Sequence, residues 1–584
     1  MDRASTVDLR PNGRSLRRQN LMTQKRWLVL FAVLALVVTA CGTTAETTTS
    51  TAATEETTTT AATEETTTTE AGGGFEGMAV AAPDCEYGGK ISSIEATGPL
   101  EVTFTLCSPA PAFPQIVAFT PFGVQPAEHL EATGGAPLDN PIGTGPFVLE
   151  AWNRGSDIVY QANADYWGDV PAFQTLVFRW ATESAARLLE LQSGNADYVT
   201  NLATADIAAV EGDANLALLP NLNPNVFYLG MSTNHPPLDQ VEVRQAIAMG
   251  LNRQQIVDNF YPPGSEVASH FTPCSIENAC NGEGWYEFDA EAARQMLVDA
   301  GAEGFDVTIY YRDVFRVYLP EPGAVANEIA QQLSDNLGIN ATVQVVESGE
   351  FIDVSGNGDY PMYLLGWGAD YPHVTNFLDY HFVEGNPQFG ATYPEIFDNL
   401  IEAGSLGDPA EAAPLYEAAN DAIKANVPMV PIAHGASADA ALATLEGAAS
   451  PVFGGPQFEL MNPGKDTLVY VQNAEPISLF CADETDGESL SACQQVVEPL
   501  LGYDLEGGIK PKLATECTPN DDATVWVCAI REGVTFHDGS ELDANDVVAS
   551  WALGIDASNP LHVGNTGAFE YYGYLWNSLM NVEG

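Results

Sequence analysis

Positive charge is scarce in this chain of 584 residues: 21 Lys and Arg stand against 79 Asp and Glu, for a formal net charge of −58. Seven of the basic residues fall in the first 26 positions, at Arg3, Arg10, Arg14, Arg17, Arg18, Lys25 and Arg26, which leaves 14 basic and 77 acidic residues for the rest. Such a surface repels phosphate backbones and anionic lipid, and so excludes nucleic acid as a partner. The acid excess serves solubility, as a saline medium demands, and does not by itself argue for a cationic ligand. Catalytic signatures are missing as well. There is no GxSxG, HExxH or GxxxxGK[ST], and no GxGxxG opens a helix after a strand, which removes the sequence case for a serine hydrolase, a zinc protease, a P-loop ATPase or a dinucleotide enzyme. No CxxC occurs, and no cysteine couple has a histidine at zinc-finger spacing. An apolar run of the roughly 20 residues that a membrane-spanning helix needs is also absent from the N-terminal region, where the run WLVLFAVLALVV at 27–38 has only twelve.

Twelve apolar residues behind the basic pair Lys25-Arg26 suit the core of a signal peptide. The run ends in Val38-Thr39-Ala40-Cys41, which resembles the lipobox of bacterial lipoproteins. Small residues before the cysteine admit the chain to a signal peptidase, and the thiol becomes the point of lipid attachment. Residues 1–40 are therefore expected to be a lipoprotein signal peptide, with Cys41 as the lipidated mature N-terminus. Residues 41–74 are rich in Thr and Glu, repeat AATEETTTT at 52–60 and 61–69, and close in Gly72-Gly73-Gly74. Almost nothing there can be buried, so ordering it would not repay the entropy. The segment reads as a tether with a root-mean-square reach of roughly 30 Å. It would hold a globular body outside the cytoplasmic membrane, at the cell surface or in a periplasmic space.

Eight cysteines remain beyond Cys41, an even number that fits disulfides in an exported protein. They form four local couples: Cys85 with Cys107, Cys274 with Cys280, Cys481 with Cys493, and Cys517 with Cys528. The last couple flanks the polar turn PNDDAT and suits a hairpin staple. Between Cys481 and Cys493, Asp483, Asp486 and Gly487 faintly suggest a calcium loop. The ligand spacing is wrong and no glutamate closes it, so a solvated loop is expected. The eight histidines are scattered; His373 and His381 share a segment without metal spacing.

Strand-like runs at 101–106, 175–180, 226–231, 306–311, 341–346 and 467–471 alternate with helical patterns, which makes the body α/β. In 322–338, Val325, Ile329, Leu333 and Leu337 lie four apart, and Gly338 is placed to end the helix. In 408–425, Asp408, Pro409 and Glu411 form the arrangement of a capping box.

Five segments resemble the solute-binding proteins of ABC transporters, family 5, the oligopeptide, dipeptide and nickel class. They are REGVTFHDGSELDANDVVASW at 531–551; IGTGPF at 142–147 with Trp152 and ADYWG at 164–168; VRQAIAMGLNRQQIV at 243–257; GWGADYPHVTNF at 366–377; and VPMVPI at 427–432. Together they reach across nearly all of 76–584. Their order departs from the family, in which the FHDG segment precedes GTGP; here it comes last. Nothing in 466–584 repeats anything in 76–465, so the two pieces complement each other, as a circular permutation requires. Exposed loops and neighbouring ends make permutation cheap, and the old junction would lie near Gly464-Lys465.

The resemblance implies a periplasmic-binding-protein-like fold of type II: two hinge-linked lobes with a ligand cleft between them. Lobe one would comprise 76–228 and 433–584, and lobe two 229–432. It also implies a receptor that captures peptides and delivers them to an ABC permease driven by separate ATPase subunits, with no cofactor and no catalysis of its own. Related ligands in the family are oligosaccharides and metal chelates, and an exported hydrolase of the same peptides is the competing class. In GWGADY, Asp370 stands where peptide-binding members grip the ligand's α-ammonium, with Trp367, Gly368 and Tyr371 as its walls. The family's carboxylate-binding arginine has no clear counterpart near this segment; Arg312 and Arg316 are loose candidates.

Overall fold

A computed structural model describes residues 75–382 and 385–582. The signal segment, Cys41 and the Thr/Glu-rich tether lie outside the described residues. Among the described residues three large sheets carry the body, beside a two-stranded ribbon of Leu501–Tyr503 and Ile509–Pro511. The first is antiparallel and joins, in spatial order, Ala79–Ala81, Ile91–Gly98, Glu101–Leu106, Val525–Ile530 and Ala514–Pro519. Strand 101–106 alternates as the sequence predicts: Val102, Phe104 and Leu106 are buried, while Glu101 is exposed. Its buried face meets helix Ala544–Ile555, where Trp551 lies edge-on to Phe104 and stacks on Phe122 with ring centroids 5.0 and 4.7 Å apart.

The second sheet has seven strands. At its centre Thr467–Gln472 pairs in parallel with Thr175–Trp180 on one side and Tyr198–Val199 on the other. A strand from beyond residue 465 thus fills the middle of a sheet whose other strands come from 147–221 and from Ser437–Leu442. The third sheet has six strands, in the order Glu266–Val267, Met429–His434, Asn225–Met231, Met362–Gly368, Asp306–Arg312 and Asn340–Val346. Each residue of Asn225–Met231 is buried between two antiparallel partners. The boundary expected at 228/229 cuts this strand, so we propose to move it back to about 222–224 and its return to about 435. This sheet has its own core, which runs from Val226 to Ala433. The arrangement is the mixed α/β, two-lobed type II architecture.

Local signals held where they were strong. Helix Pro322–Leu337 buries Val325, Ile329, Leu333 and Leu337 and ends at Gly338, whose φ of +72° is the left-handed conformation glycine tolerates. Helix Pro409–Asn426 is capped by Asp408, which accepts the Ala410 N–H. The reciprocal half of the expected capping box is not formed there. A complete box stands instead at Asp543 and Asp546, opening helix 544–555.

All four cysteine couples are disulfides, 85–107, 274–280, 481–493 and 517–528. Cys517 and Cys528 are register partners on adjacent antiparallel strands, so their bridge staples the hairpin directly. The stretch between Cys481 and Cys493 overturns the solvated-loop expectation. Asp483 is buried, and its carboxylate accepts from the backbone N–H groups of Gly567 and Phe569 at 2.9 and 2.8 Å and from the Thr566 hydroxyl at 2.8 Å. Asp486 caps helix Gly487–Cys493. Both acids are committed to the fold.

Several recognisable segments meet at one buried carboxylate. Glu498 accepts from Thr144 Oγ1 at 2.9 Å, Tyr166 OH at 2.8 Å, Trp167 Nε1 at 2.7 Å and Lys512 Nζ at 3.0 Å. His537 closes the knot: its backbone N–H donates to the Gly143 carbonyl and its ring lies 2.9 Å from the Gly145 carbonyl. A Cβ on Gly143 would come within 2.1 Å of the Val496 carbonyl oxygen, so only glycine fits there. The GTGP, ADYWG and FHDG runs are therefore scaffold in this protein.

The described chain ends pack on the same core. Val80 lies against the cluster that contains Met580, and the Met78 N–H donates to Asn545 Oδ1 at 2.7 Å. Among the described residues no helix is long and apolar enough to cross a membrane.

Candidate functional site

Strands Met362–Gly368 and Asp306–Arg312 run parallel, paired at Met362 with Ile309 and Tyr363 with Tyr310. They therefore end on the same edge of the six-stranded sheet, and the carboxyl ends of strands are where open α/β sheets bind ligands. Gly368 ends the first strand and Arg312 the second. Beyond Gly368, the Ala369 N–H donates to the Pro224 carbonyl at 2.8 Å, and the chain turns through 370–374 into helix Thr375–Phe382.

That turn is locked by Asn376, a buried residue to which the sequence reading gave no role. Its Nδ2 donates to Asp370 Oδ2 at 3.0 Å, and its Oδ1 accepts from the Asp370 N–H at 3.1 Å and from Trp367 Nε1 at 3.2 Å. One amide thus aims both Trp367 and Asp370. Asp370 is half-buried. Burial pushes its carboxyl up to about 6, against the opposing pull of hydrogen bonds from Asn376 and from the Tyr571 hydroxyl. Tyr571 belongs to helix Glu570–Leu575, on the first body, the lobe of residues 75–222 and 435–582, so groups from both sides of the cleft act on the aspartate. A carboxylate offers about four acceptor sites, which leaves room for a donor from a ligand.

Trp367, Gly368, Asp370 and Arg312 line one cavity of about 310 Å³. Arg312 donates to Ser348 Oγ at 3.1 Å and Tyr318 OH at 3.3 Å, both neutral. It forms no ion pair among the described residues. Arg316 is exposed and donates to the adjacent Phe315 carbonyl, and it does not line this cavity. Tyr371 differs from the expectation of a simple wall. Its ring is 5% exposed and packs in the core of the opposite body, and its hydroxyl lies 3.1 Å from Thr375 Oγ1. It also lines a second, larger cavity of about 830 Å³ between the two bodies.

Three rings stand between the cavities. Trp367 stacks on Tyr380 at 4.6 Å, and Tyr574, from the opposite body, meets both at 5.7 and 5.4 Å. Two histidines neighbour the cleft. His381 lines the smaller cavity, edge-on to Trp367 at 5.2 Å; its Nδ1 lies 2.7 Å from the Phe377 carbonyl, its Nε2 is buried with no hydrogen-bond partner among the described residues, and burial holds its ring down at about 4. His373 is held equally low by burial, with Lys90 adding to the effect. Away from the cleft, potential ligand atoms of His270, Cys274 and Cys280 lie within 4.8 Å of one another, but both sulfurs are tied in a disulfide.

A family described as bacterial extracellular solute-binding proteins, family 5 Middle, matches residues 47–389 and 508–568. Di/tripeptide-binding protein 1 of Pseudomonas aeruginosa (strain UCBPP-PA14) is 32% identical over 357 residues, 59% of this chain and 66% of that protein. The chain thus spans just under two thirds of that relative's length. Among solved structures, HbpA2 from Haemophilus parasuis is similar with a TM-score of 0.57 and 26% identity, over 65% of this chain and 76% of that one. The periplasmic binding protein DppA from Helicobacter pylori, in complex with the peptide STSA, gives 0.53 and 25% over 64% and 74%.

Proposed function

Because the chain belongs to the bacterial extracellular solute-binding proteins of family 5, we propose that it is a receptor that captures peptides between its lobes and delivers them to an ABC importer. The observation that carries this reading is the pairing of Asp370 with Arg312. They are opposite charges at the carboxyl ends of adjacent parallel strands, they line one cavity of about 310 Å³, and neither has an ionic partner among the described residues. A short peptide carries the complementary pair. Its α-ammonium meets Asp370 and its α-carboxylate meets Arg312, each through charge-assisted hydrogen bonds about twice as strong as neutral ones. Arg312 supplies the carboxylate-binding group that sequence left without a clear bearer. A neutral oligosaccharide would leave both charges unanswered in a half-buried site, which costs affinity, so the charges favour peptide.

Closure buries the ligand, excludes water and presents a closed surface to a permease. Energy then comes from a separate ATPase. We further propose that Cys41 carries lipid, that residues 41–74 tether the body outside the cytoplasmic membrane, and that the chain is a circular permutant of the family's order. The central placement of strand Thr467–Gln472 and the packing of both described ends on one core support the permutation.

Isothermal calorimetry of the purified protein with Ala-Ala, N-acetyl-Ala-Ala and maltose tests the reading. Binding of the free dipeptide, with at least tenfold loss on acetylation, is the expected result. Binding of maltose alone, or shortening of the peptide during incubation, overturns it.

A further inference from the structure

Between strand Glu266–Val267 and helix Ala290–Asp299 the chain makes a loop that lines neither cavity of the cleft. His270 stands in it four residues before Cys274, and Cys274 is bridged to Cys280. Among the described residues no other three His, Cys, Asp or Glu side chains bring potential ligand atoms within 4.8 Å of one another. The Ser269 hydroxyl joins the three. Its Oγ is 3.1 Å from His270 Nδ1, 3.5 Å from Cys274 Sγ and 4.0 Å from Cys280 Sγ. A hydroxyl can turn its proton away, which leaves the Nδ1 lone pair available.

The bridge is not what holds these groups in place. The buried Asn420, on helix Pro409–Asn426, donates through Nδ2 to the Ala279 and Asn281 carbonyls at 3.1 and 2.9 Å. Asn278 Nδ2 donates to the Pro409 carbonyl at 2.9 Å. Upstream, the Ala268 N–H donates to the Ile432 carbonyl at 3.1 Å, and the Ser269 carbonyl accepts from the Trp285 N–H at 2.8 Å. All of these bonds remain when the sulfurs part. The bridge is also the one that reduction reaches first. It closes a sequence separation of 6 residues, against 11, 12 and 22 for the others, and in the chain-entropy account the shortest loop gives the least stabilisation. Cys274 is exposed, so an external thiolate can attack its sulfur.

An external dithiol supplies the two electrons. One of its thiolates attacks Cys274 Sγ, breaks the Cys274–Cys280 bond and releases the Cys280 thiolate. Its second thiol then resolves the mixed disulfide, frees Cys274 and leaves with the first as a cyclic disulfide. Two thiolates and an imidazole now face one space, and that donor set suits a soft or borderline cation such as zinc. Tetrahedral zinc holds sulfur and nitrogen at about 2.3 and 2.0 Å, so its ligands stand about 3.3–3.8 Å from one another, and water or Ser269 Oγ can take the fourth place. The pair of thiolates neutralises the divalent charge, and their protons pass to solvent as the metal enters. With 77 acidic residues to 14 basic ones beyond residue 26, the protein's field draws cations towards its surface.

We propose that the Cys274–Cys280 disulfide masks a metal site: once a dithiol reduces it, Cys274, Cys280 and His270 bind one thiophilic divalent cation of the zinc class. The site is remote from the cleft and does not depend on the peptide reading.

The test uses the full exported protein before and after anaerobic treatment with dithiothreitol and removal of the reagent. Zn²⁺ is titrated against a chromophoric chelator, Co²⁺ serves as a spectroscopic probe, and alkylation with peptide mapping identifies the bridges that have opened. The 274–280 bridge should open first. The reduced protein should take up one zinc per chain about a hundredfold more tightly than the oxidised protein, with a thiolate charge-transfer band for Co²⁺ and protection of both cysteines from alkylation by zinc. His270→Gln keeps both thiols and should weaken zinc by about tenfold or more. The double variant Cys274→Ser with Cys280→Ser should lose the site, and its melting curve distinguishes that loss from misfolding. Earlier opening of another bridge overturns the inference. So does absence of zinc uptake by the reduced protein, or equal uptake by the oxidised protein or by a folded double serine variant.

Discussion

The Glu498 carboxylate, with no exposed side-chain surface, lies 3.0 Å from the ammonium of Lys512 and also accepts from Thr144, Tyr166 and Trp167. This one acid joins segments that are hundreds of residues apart in the chain. Its position explains why the GTGP and ADYWG runs look as they do: they supply donors and close-packed glycines around a buried charge. Removing the acid strands a largely enclosed ammonium, whose side chain is 18% exposed, at a cost of about 2–3 kcal/mol, below the roughly 3–5 of a fully buried pair. Glu498→Ala should lower the melting temperature sharply, and the double variant Glu498→Ala with Lys512→Met should recover part of the loss. Thermal unfolding of the three proteins measures this.

Asp370 should make peptide affinity pH-dependent. Burial pushes its carboxyl up to about 6 by disfavouring the charged form, and an ammonium ligand requires that charged form. Binding therefore releases a proton from the protein below about pH 6. Affinity is full above that value and falls as pH drops through it, by up to about tenfold per unit. Burial pushes the Asp379 carboxyl up to about 6 as well, so the comparison that isolates Asp370 is Asp370→Asn. This variant should bind a dipeptide about 1.5–3 kcal/mol more weakly at pH 7.5, with a flatter profile. Calorimetry between pH 5 and 8 gives both numbers.

The Cys517–Cys528 bridge closes a sequence separation of 11 residues between register partners. In the chain-entropy account such a loop contributes about 2–3 kcal/mol. Replacing both cysteines with serine should lower stability by about that amount without altering peptide affinity, since the hairpin lies outside both cavities. Chemical denaturation of the variant, alongside peptide mapping of the unreduced native protein, checks the assignment.

If the chain is a circular permutant, restoring the family's order should be tolerated. A chain that carries 466–582 ahead of 76–465, joined by a short Gly/Ser linker, should fold, keep its four disulfides and melt within a few degrees of the original. The measurement is a melting curve with and without dipeptide. An insoluble or ligand-blind product would count against the permutation.

Anchoring is checked separately. Cys41→Ser should release the protein from the membrane fraction or leave it unprocessed, as judged by fractionation and labelling with a radioactive fatty acid.

Much of the fold was legible in the sequence because its signals were local. The strand at 101–106 shows its alternation within six residues, and the helix at 322–337 shows its periodicity and its terminal glycine within one window. The four disulfides were readable because each partner lies close in sequence. The solvated loop expected around Asp483 was wrong for the converse reason. The donors that bury it, at 566–569, arrive from some eighty residues away, and local polarity carries no trace of them.

By itself, then, the sequence determined the α/β class and the family resemblance, and it offered an export signal and Asp370 as a candidate anchor, since each is written in residues that are neighbours along the chain. Tertiary structure decided what surrounds that anchor. The parallel pairing of two strands brought Arg312 and Gly368 to the lining of one cavity, Asn376 folded back to aim the carboxylate, and the helix at 570–575 brought Tyr571 and Tyr574 across from the other lobe. Tertiary structure also set Lys90 and Asp379, 289 positions apart in sequence, on the walls of the larger cavity. Sheet register and lobe packing create these neighbours, and neither leaves a periodicity that a window of sequence can show.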